Sequence, residues 1–84
     1  GTESTLMILN FIFEQMDFHR VYLSVISHND RAIRLYEKCG FKREGIKREA
    51  FYSMGKHSDI IEMGLLQKEF QKLKKTKLKE FFKE

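Results

Sequence analysis

The chain has 84 residues, a net charge of +4 and one cysteine. That length allows one small domain with a marginal core, and a lone thiol forms no disulfide within the chain and fits a reducing, cytoplasmic compartment. Asn10, Glu14 and Gln15 break the apolar N-terminal run, so no stretch offers the roughly 18–20 apolar residues of a membrane span.

The chain opens on Gly1 and enters a helix almost at once, which reads as an entry into the middle of a larger fold. Thr2 or Ser4 is the expected N-cap, with Glu3 near the positive end of the helix. The helix should reach Met16 or Asp17. Its apolar residues, from Leu6 to Met16, form more than one stripe, so most of its surface should be covered. Residues 21–26, VYLSVI, read as a short strand buried on both faces. Helix followed by strand predicts an α/β layer with parallel pairing.

Residues 29–41, NDRAIRLYEKCGF, hold the strongest local signals. Asn29 is a helix-starting cap. Ala32, Ile33, Leu35, Tyr36 and Cys39 keep helical spacing, and Gly40 suits the left-handed stop. Residues 41–52 alternate imperfectly, with Gly45 marking a bulge or a close approach. Residues 53–56, SMGK, read as a turn into a strand over 59–66, which completes an antiparallel hairpin. Residues 67–84 are helix-prone, with Phe70, Leu73, Leu78, Phe81 and Phe82 on one half of the circumference. Residues 68–84 carry seven lysines and three glutamates, whereas the rest of the chain is neutral. The body therefore has no basic face, and nucleic-acid binding would have to reside in the tail.

His19, His28, His57 and Cys39 lack the spacings of metal ligands, so no metal is expected. Cys39, at a helix C-terminus, reads as a small apolar residue and not as a nucleophile. A strand running into a capped helix does form a place for a ligand, because the free N–H groups of the helix start favour amide-rich or phosphorylated molecules. Asn29, Asp30 and Arg31 sit there, and Tyr36 lies two turns on, facing the sheet. A tyrosine in that position can protonate a developing thiolate. It can equally be a core aromatic with a satisfied hydroxyl, and Asn29 can be a cap and nothing more.

The run VYLSVISHNDRAIRLYEKCGFKREG resembles the C-terminal half of the GNAT N-acetyltransferases, with Asn29, Ala32, Ile33, Leu35, Tyr36, Gly40 and Phe41 at the family's places. The continuation through Glu44, Gly45, Gly55, Asp59, Met63 and Leu66 is similar to the RimJ/RimL and spermidine acetyltransferase branch. The resemblance implies a mixed α/β sheet in the order helix–strand–helix–strand–strand–helix. It also implies acetyl-CoA, lying between two parallel strands, as donor to a primary amine of a polyamine or peptide. Tyr36 becomes the acid on the leaving thiolate and Asn29 a contact to the pantetheine arm. Gly1 and Thr2, with Arg31, become cofactor-binding residues. The family's Gln/Arg-x-x-Gly-x-Gly loop would begin five residues before Gly1. Some relatives carry a glutamate base where Ser24 stands, so that strand assigns no base.

Residues 1–66 are thus expected to be the C-terminal part of an acetyltransferase domain, and 67–84 a lysine-rich amphipathic helix. Little turnover by the chain alone, and self-association into a homo-oligomer, are the corresponding expectations. The rival is a non-catalytic module whose basic tail binds RNA, the ribosome or an anionic surface.

Overall fold

The computed structural model describes residues 1–82. Helix α1 (Thr2–Asn10) runs into a π-helical turn (Phe11–Gln15). Then come β1 (Arg20–Ile26), α2 (Asp30–Lys38), β2 (Lys42–Ser53), β3 (Lys56–Leu66) and α3 (Gln67–Lys75). This is the expected order, and the fold is mixed α/β.

The sheet runs β1–β3–β2, with both pairings antiparallel. The expected parallel pairing is not made, because β1 finds its partner in β3, the second arm of a hairpin that runs against it. Nor is β1 buried on both faces. Val25 is buried and Val21 and Leu23 pack on the core, while Tyr22 and Ser24 face outward. Among the described residues only one face of the sheet carries helices.

Each helix end has a local cause. Asn29 Oδ1 accepts from the Ala32 N–H at 3.2 Å, as a cap should. At the other end the Gly40 N–H donates to the Glu37 carbonyl and the Phe41 N–H to the Tyr36 carbonyl, both at 3.0 Å. That pair of bonds is a Schellman closure, and Gly40 holds it at φ 107°. The start of α1 differs from expectation. Gly1 is the N-cap, and neither Thr2 nor Ser4 supplies a capping side chain. At its far end the Met16 N–H reaches back five residues to the Phe11 carbonyl, which widens the last turn.

The hairpin turns through Met54 and Gly55, both at positive φ (51° and 78°), as a two-residue turn matched to strand twist requires. The strand pairing slips between Arg43 and Gly45, which makes the expected bulge. Space beside Gly45 is open, so no close approach explains that glycine. A second slip lies between Lys47 and Phe51. There the Glu49 N–H, at φ 49°, donates to Asp59 Oδ1 at 2.8 Å.

The core is one layer of side chains between sheet and helices. Leu6, Leu9 and Phe13 enter it from the first helical run, Ile33 and Cys39 from the second, and Ile61, Met63 and Leu65 from β3. Phe13 and Phe70, both fully buried, stack at 5.2 Å. Full burial of such a side chain stabilises by about 1.5–3 kcal/mol. The opposite side of α1 is not covered: Met7, Ile8 and Phe11 are more than half exposed.

Helix α3 ends at Lys75, not at the chain's end as its composition predicts. Thr76 leaves helical geometry, and its hydroxyl donates back to the Lys72 carbonyl at 2.9 Å. The chain then folds through turns that bring Leu78 and Phe82 against the core. Lys83 and Glu84, which the helix expectation included, lie outside the described residues.

Gly40→Ala tests the α2 closure. A Cβ there would meet Leu73 Cδ1 and would be strained at this φ. Stability should fall by about 2 kcal/mol, read from urea unfolding.

Candidate active site

The cap and the Schellman closure fix where α2 begins and ends, and so place its side chains. Tyr36 is half-buried against the core and meets the Phe41 ring edge-on at 5.6 Å. Its hydroxyl has no hydrogen-bond partner among the described residues and is not sealed from water. Asn29 is exposed, with its carbonyl oxygen engaged by the cap and its amide N–H2 free to donate outward. Arg31 is exposed in the first turn. Gly1 and Thr2 open α1, which touches α2.

These residues do not line a common depression. A groove of about 690 Å³ lies between the end of α2, β2 and α3, bordered by Lys38, Lys42, Lys72 and Leu73. A second, of about 870 Å³, lies between Ile26, His28, Phe51 and Met54. Tyr36 and Asn29 border neither. Asn29 follows the end of β1, and among the described residues the second edge of β1 is unpaired, an open row of backbone donors and acceptors.

The sheet face away from the helices holds a polar cluster that sequence reading missed. Arg20 Nη1 and Nη2 grip the two oxygens of Glu44 at 2.6 and 2.5 Å. The bulge supplies Glu44 as the extra residue of β2, and Gly64 lets the pair lie across the central strand. A Cβ at Gly64 would overlap the Glu44 carboxylate. Ser24 Oγ donates to Glu62 Oε2 at 2.8 Å, and Lys47 Nζ lies 3.3 Å from Glu62 Oε1. The available signal was Glu62 itself, the one charge within the apolar run from Ile60 to Leu66.

Three carboxyls are held below the ordinary range. Glu44 is lowered first by its hydrogen bond from Arg20, and Glu62 first by the Ser24 hydroxyl and then by Lys47. Glu69 is lowered first by Lys42, then by the Leu66 N–H that it accepts at 3.0 Å. That last bond is half of a capping box, since Leu66 has no polar side-chain atom to reciprocate. Burial pushes the Cys39 thiol up, which leaves it protonated and inert. Among the described residues no three His, Cys, Asp or Glu side chains converge as a metal would need, and no helix is long and apolar enough to cross a membrane.

Residues 3–61 match the acetyltransferase (GNAT) domain, and the chain belongs to the GNAT acetyltransferase family. It is 37% identical over 62 residues to spermidine N(1)-acetyltransferase of Vibrio cholerae, an alignment covering 74% of this chain and 36% of that protein. It is 38% identical over 69 residues to the SPbeta prophage-derived uncharacterized N-acetyltransferase YokL of Bacillus subtilis, covering 82% and 39%. The fold superposes on the crystal structure of the Vibrio cholerae spermidine N-acetyltransferase in complex with CoA and spermine. That match has a TM-score of 0.78 and 32% identity, over 83% of this chain and 42% of that one. The chain thus spans well under half the length of these relatives.

Because the three carboxyls have folded values below their unfolded ones, their stabilisation is present above about pH 4.3 and is lost as pH falls through the folded values. Urea midpoints measured from pH 7 to pH 3 should hold and then decline. Glu44→Gln and Glu69→Gln should each flatten the decline.

Proposed function

We propose that the chain contributes one wall and the acid of an N-acetyltransferase site that moves acetyl from acetyl-CoA to a primary amine. The observation that carries this is Tyr36, a tyrosine with an unengaged hydroxyl on the sheet-facing side of a capped helix in a GNAT family chain. The unpaired edge of β1 would offer backbone groups to the amide-rich pantetheine arm, and the Asn29 amide, with its oxygen taken by the cap, is the further donor that the family resemblance assigns to that arm. Gly1, Thr2 and Arg31, at the starts of α1 and α2, supply N–H groups and a positive charge for phosphates.

The amine nitrogen attacks the thioester carbonyl carbon, the carbon–sulfur bond breaks, and the Tyr36 hydroxyl gives its proton to the departing thiolate. The proton that the amine sheds passes to water, and Tyr36 is reprotonated from solvent. The Vibrio cholerae relative, named for spermidine and crystallised with CoA and spermine, favours a polyamine over a peptide amine as acceptor. The tail fits this reading better than an RNA-binding role, since its Lys74 is tied to Asn10 at 2.6 Å and lies over the Phe82 ring.

Calorimetry with acetyl-CoA tests binding by the chain, and a spermidine acetylation assay with the other wall of the site supplied tests transfer. Tyr36→Phe should lower the transfer rate by about 100-fold or more and leave acetyl-CoA affinity nearly unchanged. A chain that binds no acetyl-CoA, or a Tyr36→Phe variant that transfers at the normal rate, would overturn it. The exposed Met7, Ile8 and Phe11 and, separately, the unpaired edge of β1 further favour a homo-oligomer. Sedimentation should give a mass that rises with concentration, and a constant monomer mass would exclude it.

A further inference from the structure

The acetyl-transfer reading leaves the polar cluster on the open sheet face without a role. Ser24 and Glu62 are direct cross-strand partners on β1 and β3. Glu62 Oε2 takes the Ser24 hydroxyl, whereas Oε1 is buried and receives no hydrogen bond. Lys47 Nζ lies 3.3 Å from Oε1, near enough for charge attraction without the alignment of a hydrogen bond. The Lys47 side chain is 67% exposed and that of Glu62 only 24%. The cation can therefore swing into water while the carboxylate stays, and exposed pairs of this kind are held weakly. Glu44, the neighbouring acid, is already matched by the two-pronged contact from Arg20.

We propose that Glu62, steadied by Ser24, anchors one ammonium group of a polyamine acceptor, and that Lys47 occupies the same spot as a displaceable stand-in. A lysine ammonium and a terminal polyamine ammonium are the same chemical group, so a niche that accepts one accepts the other. The placement suits the reaction. β1 is an edge strand, Tyr36 packs on the core side of the sheet, and Ser24 and Glu62 meet on the opposite side. A thioester held along that edge would then be open to Tyr36 from the core side and to an amine from the polar side. Ser24 and Lys47 keep Glu62 ionised, which makes it a poor base and a good counter-ion. An acceptor that uses it must carry at least two amino groups, one to be held and another, uncharged, to attack. This proposal rests on the amine-acetylation reading above.

The test is titration of spermidine into the full isotope-labelled chain, followed by NMR at the amides of Ser24, Gly45 and Glu62, with and without acetyl-CoA. The expected result is saturable shifts at these amides, with affinity about tenfold weaker in Glu62→Gln and tighter in Lys47→Met. Lys47 is exposed, so its variant keeps the test sound if Glu62→Gln folds poorly. Equal affinity in wild type and Glu62→Gln, or no tightening in Lys47→Met, overturns the anchor. Acetyl-CoA binding together with Glu62-independent spermidine binding overturns the anchor alone. Glu62-dependent spermidine binding without acetyl-CoA binding overturns the acetyltransferase reading and leaves the anchor standing.

Discussion

Every layer of this small fold meets at β3. Both other strands pair with it, and its inward residues Ile61, Met63 and Leu65 form the floor on which the helices rest. Its outward positions behave differently. Gly64 leaves room for the Arg20–Glu44 pair, and Glu62 takes the Ser24 hydroxyl. One strand therefore sets the core on one side and a polar surface on the other. Among the described residues the buried side chains form one cluster, and three of them come from this strand.

The parts of the fold legible in the sequence were those with local causes. The Asn29 cap, the Gly40 closure and the Met54–Gly55 turn each depend on residues within a few positions, so residue type and spacing suffice to find them. Strand orientation was not legible in that way. An apolar hexapeptide looks the same whether its neighbour runs with it or against it, and β1 pairs with a strand about 40 residues on in sequence. The tail misled because lysine and leucine favour helix everywhere, whereas the break at Thr76 is settled by Leu78 and Phe82 docking on the core.

The candidate site divides along the same line. Helical spacing and capping place Tyr36 and Asn29 with reference only to α2, and the family resemblance is what proposes them as site residues. The Ser24–Glu62 contact joins residues 38 positions apart and the Arg20–Glu44 pair residues 24 apart, and neither follows any local pattern. A lone acid inside an apolar strand was the one visible trace, and it gains meaning only once β1 is laid beside β3.

The hairpin has a consequence for how the chain assembles. Its two arms are joined by a two-residue turn, so β2 and β3 can find each other by local search, a process of about 1–10 μs. β1 must instead close a loop that contains all of α2 and the whole of β2 before it pairs, and long loops close late and at an entropic cost. The expected order is hairpin first, β1 last. The strand that bears Ser24 is then the final piece of the sheet to be secured and the first to be released.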